Sequence, residues 1–167
     1  MANVKPVQQA EEPYLYILMR TDLPSMGLGK SVAQGAHAAN QFTEEHVIQP
    51  LMKGKEVDAL VTAWRTGTPD GFGTTISLGV TGDQMRAVID VAHKLGLAAE
   101  TTVDPTFPYL VDKEIFPLIG EKVHTEKPVF LRDQVVCFRR EESCAYVFGL
   151  KSELSVLLGQ FGLLNND

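Results

Sequence analysis

The chain has 167 residues, of which 44% are hydrophobic and 22% charged, with a formal net charge of −6 at pH 7. That length suffices for one sizeable core, and the composition is that of a soluble globular domain. The acidic balance argues against a broadly basic nucleic-acid coat, so any RNA contact has to be focal. No apolar run approaches the roughly 20 residues that span a bilayer, and Met1 to Pro13 lacks an apolar signal core, so a cytoplasmic protein without membrane attachment is expected.

Met1 to Pro13 carries Gln8, Gln9, Glu11 and Glu12 between two prolines, which predicts a flexible tail before a single domain over 14–167. Tyr14-Leu-Tyr-Ile-Leu-Met-Arg20 is a near-continuous apolar run of strand length, the pattern of a strand covered on both faces. A loop from Thr21 to Gly29 leads into a helix. At about 100° per residue, Lys30, Gln34, His37 and Gln41 fall on one stripe, while Val32, Gly35, Ala36, Ala39 and Phe42 fall opposite. The apolar stripe is expected to dock on the sheet and the polar one to face out.

A second helical pattern covers Glu56 to Arg65, and Thr74 to Val80 reads as the next strand. A helix from Gly82 to Leu95 stops at Gly96, and a third strand from Ala98 to Val103 ends at Asp104. Pro105, Pro108 and Pro117 mark a long insertion, taken as about 105–140, of the kind that often serves as a lid. Val129 to Arg139 and Cys144 to Leu150 read as two β-rich runs joined by a charged turn, followed by a short helix from Ser152 to Leu158 and the apolar Phe161-Gly-Leu-Leu164. The alternation of strands and helices predicts an α/β fold.

Few residues carry recognisable chemistry. Cys137 and Cys144 fit no zinc or redox spacing and are expected as reduced thiols. His46, His93 and His124 lack partners at ligand spacing, so no metal site is inferred. Gly27-Leu-Gly-Lys-Ser31 resembles the end of a P-loop, but Pro24 stands where that motif needs a glycine. What survives is an anion-binding reading, because Lys30 adds a cation to the amide dipoles of a helix N-terminus that includes Gly29. Gln34 and His37 follow on the same stripe and share any substrate placed there. Asp104 and Thr106 sit at a strand end held rigid by Pro105, and Asp22 is placed to form an Asx turn or a salt link to Arg20.

Arg20-Thr-Asp-Leu, Met26-Gly-Leu-Gly-Lys and Ala33-Gln-Gly-Ala-His-Ala together resemble the N-terminal signature of the type II peptidyl-tRNA hydrolases, the archaeal and eukaryotic-type enzymes. The likeness continues more weakly through the Trp64 helix, the Ile76 strand, Asp104 and the closing Ala145-Tyr-Val-Phe-Gly-Leu. It implies a three-layer α/β/α sandwich, a mixed, mainly four-stranded sheet between helices, to which this chain adds a β-rich insertion before the last strand. It also implies hydrolysis of the ester joining a peptide to tRNA, with no metal or other cofactor. The chain departs from the family where Asp104-Pro-Thr-Phe-Pro-Tyr replaces an Asp-Ala-Gly-Arg-Thr stretch, and it lacks a basic residue near Leu78-Gly-Val.

Ester hydrolysis needs an activated water and donors for an oxyanion. The expected catalytic residues are Lys30, His37 and Asp104, with the choice of base open between Asp104 and His37. Arg20, Asp22, Gly29, Gln34 and Thr106 are expected to bind substrate. The expected partner is peptidyl-tRNA, held through a local basic site, and a homodimer is a candidate assembly. Two other classes share the fold: a non-catalytic RNA- or protein-binding module, and a phosphate-ligand-binding or transferase domain.

Overall fold

A computed structural model of the protein describes residues 11–119 and 128–164. Most of the expected tail, His124 and part of the expected insertion lie outside them. Strand β1 (Pro13–Arg20) is central, as its unbroken apolar run requires. It pairs in parallel with β2 (Thr75–Val80) on one side and antiparallel with β5 (Gln134–Leu150) on the other. Strand β3 (Ala98–Asp112) lies outside β5 and antiparallel to it, giving the order β2-β1-β5-β3, and the two-residue β4 (Val129–Phe130) also pairs with β5. The mixed α/β sheet is thus the expected four strands plus one short extra.

Helices cover both faces. On one, α1 (Leu28–Thr43) and α3 (Ala59–Thr66) bury Leu15, Ile17 and Met19 of β1 with Cys144, Tyr146 and Phe148 of β5. On the other, α4 (Gly82–Lys94) and α6 (Lys151–Leu158) bury Leu18, Leu78, Val80, Ala145 and Val147. The alternation of Leu15, Ile17 and Met19 with Leu18 is the two-residue period of a strand sharing out its side chains between two cores. Thr81 and Gln84 close a reciprocal capping box at the start of α4, and Asp58 caps α3 through Leu60 N–H and Val61 N–H. Gly73 has a φ of +69°, and a Cβ there would lie 2.0 Å from the Trp64 ring, so only glycine lets the chain pass the indole.

After α1 the chain makes a π-helical turn (Glu44–Ile48) and runs on as α2 (Gln49–Met52). Pro50 has no N–H for the carbonyl four residues back, and the wider turn accommodates that missing bond. The turn aims Glu45 and His46 at the buried Tyr146 phenol, which donates to Glu45 Oε2 and lies 3.0 Å from His46 Nε2. A short α5 (Phe116–Ile119) follows β3, and Leu163 bridges to Leu78, so the C-terminal segment covers part of the β2 edge.

Three expectations are corrected. Strand β3 does not stop at Val103 but continues through Pro105 and Pro108 to Asp112. There is no charged turn before Cys144: β5 runs unbroken through Arg139-Arg-Glu-Glu-Ser143, so residues 105–112 and 134–140 extend the sheet. Pro105 falls where the ladder is already irregular, which is where a strand tolerates proline. The third correction concerns the orientation of α1, whose buried residues are Ser31, Gln34, Ala38 and Phe42 while Val32 is 66% exposed. The helix is rotated by roughly a quarter turn from the expected phase. Its alanines and glycines weigh little, and the phase is set by Phe42, which packs against Trp64, Tyr146 and Phe148.

Candidate functional site

The site forms where α1 crosses two irregularities in the β3–β5 ladder. Thr102 pairs with Cys144 and Val103 with Glu142, which leaves Ser143 as an extra residue in β5. Asp104 pairs with Glu141 and Phe107 with Arg139, so β3 bulges in turn through Pro105 and Thr106. Paired bulges of this kind re-aim side chains out of the regular alternation. Here they direct Asp104 and Ser143 toward α1.

Gln34, only 3% exposed, receives them. Its Nε2 donates to Asp104 Oδ2 at 2.6 Å, and its Oε1 accepts from Ser143 Oγ at 2.5 Å. The other Asp104 oxygen accepts from Thr106 N–H at 2.8 Å and from Thr106 Oγ1 at 3.4 Å. An unsatisfied buried amide costs about 1–3 kcal/mol, so these bonds are what permits a glutamine on the sheet-facing stripe. Cys144 Sγ donates to the Gln34 carbonyl at 3.2 Å, and burial pushes its thiol up to about 11. Cys137 is buried too, and both cysteines are free thiols.

One turn before Gln34, Lys30 reaches the same strand. Its Nζ donates to the Pro108 carbonyl at 2.5 Å and lies 5.0 Å from the Phe107 ring centroid. Ser25 Oγ donates to the same carbonyl at 3.0 Å. Partial burial pushes the Lys30 ammonium below the ordinary lysine value. Among the described residues no carboxylate forms an ion pair with it. It is therefore a cation held by neutral groups, free to exchange a carbonyl for an incoming anion.

A second cluster lies beside the first. Arg20 donates Nε to Asp22 Oδ1 at 2.9 Å and Nη2 to Asp22 Oδ2 at 3.0 Å. Its Nη1 donates to Glu141 Oε1 at 2.9 Å and to the Glu142 carbonyl at 3.1 Å. Glu141 Oε2 also accepts from Tyr109 OH at 2.6 Å and Arg139 Nη2 at 2.8 Å. Gly82 N–H donates to Asp22 Oδ2 at 3.2 Å, and a Cβ on Gly82 would sit 2.9 Å from Arg20 Cζ. The bond from Arg20 holds the Asp22 carboxyl below the usual carboxylate range.

The structure thus joins Gln34, Asp104 and Thr106 by hydrogen bonds and holds Lys30 one helical turn away, against Phe107 and Pro108 of the same strand. It commits Arg20 and Asp22 to an ionic cluster and leaves His37 exposed on α1. Gly29 is exposed in the first turn of α1, with open space where a Cβ would be. Ser143, Glu141 and Tyr109 were not among the sequence candidates. The one signal for Ser143 is a hydroxyl beside the apolar run Cys144-Ala-Tyr-Val-Phe148, and a bulge leaves no mark that separates it from an ordinary strand end. Among the described residues no group of three or more histidine, cysteine, aspartate or glutamate side chains is placed to hold a metal ion. No helix of the described residues is long and apolar enough to cross a membrane.

An α/β sandwich with a lysine, an amide and a carboxylate gathered beside a paired bulge is the class these features define. Its family follows from comparison: residues 14–108, more than half of the chain, match the family model for peptidyl-tRNA hydrolase PTH2, and the chain belongs to that family. The matched span contains Lys30, Gln34, Asp104 and Thr106. No curated protein matches the chain. A solved structure of a protein of unknown function from Agrobacterium tumefaciens strain C58 is similar with a TM-score of 0.46 and 9% identity, over 92% of this chain and 98% of that one.

Proposed function

We propose that this protein hydrolyses the ester bond between a peptide and the terminal ribose of tRNA, releasing free tRNA and peptide. The observation that carries the reading is Asp104, held by the neutral donors of Gln34 and Thr106 while Lys30 lies on the same segment of β3. Family membership supplies the substrate class.

In this mechanism Asp104 accepts a proton from a water as that water attacks the ester carbonyl carbon. Lys30 leaves the Pro108 carbonyl for the developing oxyanion or the terminal phosphate, and Gly29 and its neighbouring amides at the start of α1 complete a focal basic site on an acidic protein. When the tetrahedral intermediate collapses, the carbon–oxygen bond to ribose breaks and the ribose oxygen takes its proton back from Asp104. Gln34 and Thr106 keep the carboxylate aimed. Asp104 is preferred to His37 as base because two neighbours orient it, whereas His37 is exposed. No metal is assigned a role, and the site is placed in the cytoplasm, where peptidyl-tRNA is its substrate.

The test is release of free tRNA from a defined peptidyl-tRNA, with aminoacyl-tRNA as comparison. Cleavage of the first well above the second is expected. Binding without cleavage would replace this reading with an RNA-binding module, and neither binding nor cleavage would replace it with a phosphate-ligand site.

A further inference from the structure

Ser143 is fully buried, yet it is a polar residue on a strand that is otherwise apolar from Cys144 onward. In a regular strand, consecutive side chains point to opposite faces. Here Ser143 and Cys144 both reach the same helical residue: the hydroxyl meets the Gln34 side-chain oxygen and the thiol meets the Gln34 backbone carbonyl. The extra residue in β5 makes that possible, since the ladder passes from Cys144 to Glu142 without pairing Ser143. The bulge therefore delivers a hydroxyl to one specific atom.

The carboxylate at the other end of the amide sets the direction of the bonds. Gln34 has one accepting and one donating end, and an ionised carboxylate only accepts. Asp104 therefore takes the amino end, and the Ser143 hydroxyl, which can donate or accept, turns its O–H to Gln34 Oε1, so the bonds run in one direction from Ser143 through Gln34 to the carboxylate. Without that hydroxyl, the buried Gln34 Oε1 loses its donor, and the amide that aims Asp104 is held at one end only. We infer that Ser143 is a positioning residue: it locks the Gln34 amide so that Gln34 orients Asp104, without touching substrate itself. The inference rests on the proposed hydrolase reading, but its structural half stands independently of it.

The experiment compares the full chain with Ser143→Ala and Ser143→Thr. Turnover of peptidyl-tRNA is measured together with the ¹⁵N–¹H resonances of the Gln34 side-chain amide, assigned by their loss in Gln34→Leu. In Ser143→Ala, kcat is expected to fall about tenfold with KM within about twofold. The Gln34 amide pair is expected to shift and to exchange faster with solvent, while Ser143→Thr restores both. A Gln34 amide that stays unchanged in Ser143→Ala would overturn the assignment, as would kcat within twofold of wild type. If Ser143→Ala does not fold, Ser143→Cys, a weaker donor of similar size, is expected to give an intermediate amide shift, and no shift would count against the assignment. If the wild-type chain cleaves no peptidyl-tRNA, the hydrolase reading falls while the amide resonances still decide the role of Ser143.

Discussion

Asp104 and Glu141 face each other directly across the β3–β5 ladder, yet they are treated in opposite ways. Glu141 is held by two guanidiniums and a phenol, those of Arg20, Arg139 and Tyr109. Among the described residues, Asp104 is held only by the amide of Gln34 and the N–H and hydroxyl of Thr106. Like charges placed opposite one another in a sheet are destabilising, so each carboxylate needs partners of its own. Full ionic partners neutralise a charge and fix a structure. Neutral donors fix the geometry and leave the charge available, which is what a general base requires.

The contrast predicts that the two carboxylate clusters fail differently. The largest effect is expected on the ionic side. The Arg20 and Glu141 side chains are 12% and 10% exposed, so Arg20→Ala would leave Glu141 and Asp22 short of their main donor. A loss of about 3 kcal/mol in unfolding free energy is expected, the lower end for breaking a buried pair, because Asp22 is more exposed than Glu141. Urea denaturation measures it. Arg20→Lys should recover only part, since an ammonium cannot reproduce the two-toothed bond to Asp22. A loss below about 0.5 kcal/mol, the ordinary range for a surface substitution, would erase the distinction between the clusters.

The neutral cluster should fail in rate rather than in stability. Lys30→Ala and Asp104→Asn are each expected to lower turnover of peptidyl-tRNA by at least about tenfold, roughly 1.4 kcal/mol in the barrier. Both variants should keep a native circular dichroism spectrum. Full activity in the two folded variants would remove the mechanism and leave the carboxylate contrast a matter of packing alone.

A smaller effect separates the clusters by pH. The Asp22 carboxyl is held down chiefly by its bond from Arg20, so the folded state binds its proton more weakly than the unfolded state does. The stability it contributes is complete above the ordinary carboxylate value and is lost as pH falls through the lower folded value. Asp22→Asn should therefore flatten the acid limb of the stability curve. An acid limb identical to wild type would show that the guanidinium bond does not discriminate between the protonation states. Lys30 carries the opposite kind of cost: with its ammonium pushed down by burial, the unfolded chain binds more protons in the window between the two values, and stability rises with pH there.

Much of this architecture was legible in the residues. The apolar run of β1, the helix stop at Gly96 and the α/β alternation predicted an α/β fold, because burial on two faces leaves a plain pattern, and the family resemblance implied the mixed sheet between helices. Strand ends were less legible. Asp104-Pro105 reads as a stop, but edge strands accommodate proline at a bulge, and β3 runs on. The α1 phase was missed because a helix rich in alanine and glycine has little preference, and one large residue, Phe42, outweighs it. For the candidate site, the Lys30, Gln34, Asp104 and Thr106 positions were picked out from local chemistry and family resemblance. Their pairing was not, since Gln34 was expected to face solvent and Ser143 gave no local cue. The placements of Ser143 and Asp104 depend on bulges, which arise from the register of two strands distant in sequence.

The smallest expected effect sharpens the choice of base. His37 lies on α1 close in sequence to Lys30 and Gln34, but it is exposed, whereas Asp104 accepts bonds from two neighbours. A general base has to be held within hydrogen-bond reach of the water it deprotonates, and an imidazole left to solvent samples many rotamers. His37→Ala is accordingly expected to change kcat by less than about threefold, against the tenfold or greater loss in Asp104→Asn, with any residual effect appearing in KM. Parallel measurement of kcat and KM in the two variants makes the comparison. A loss in His37→Ala equal to that in Asp104→Asn would move the base from β3 to α1, and with it the meaning of the contrast between Asp104 and Glu141.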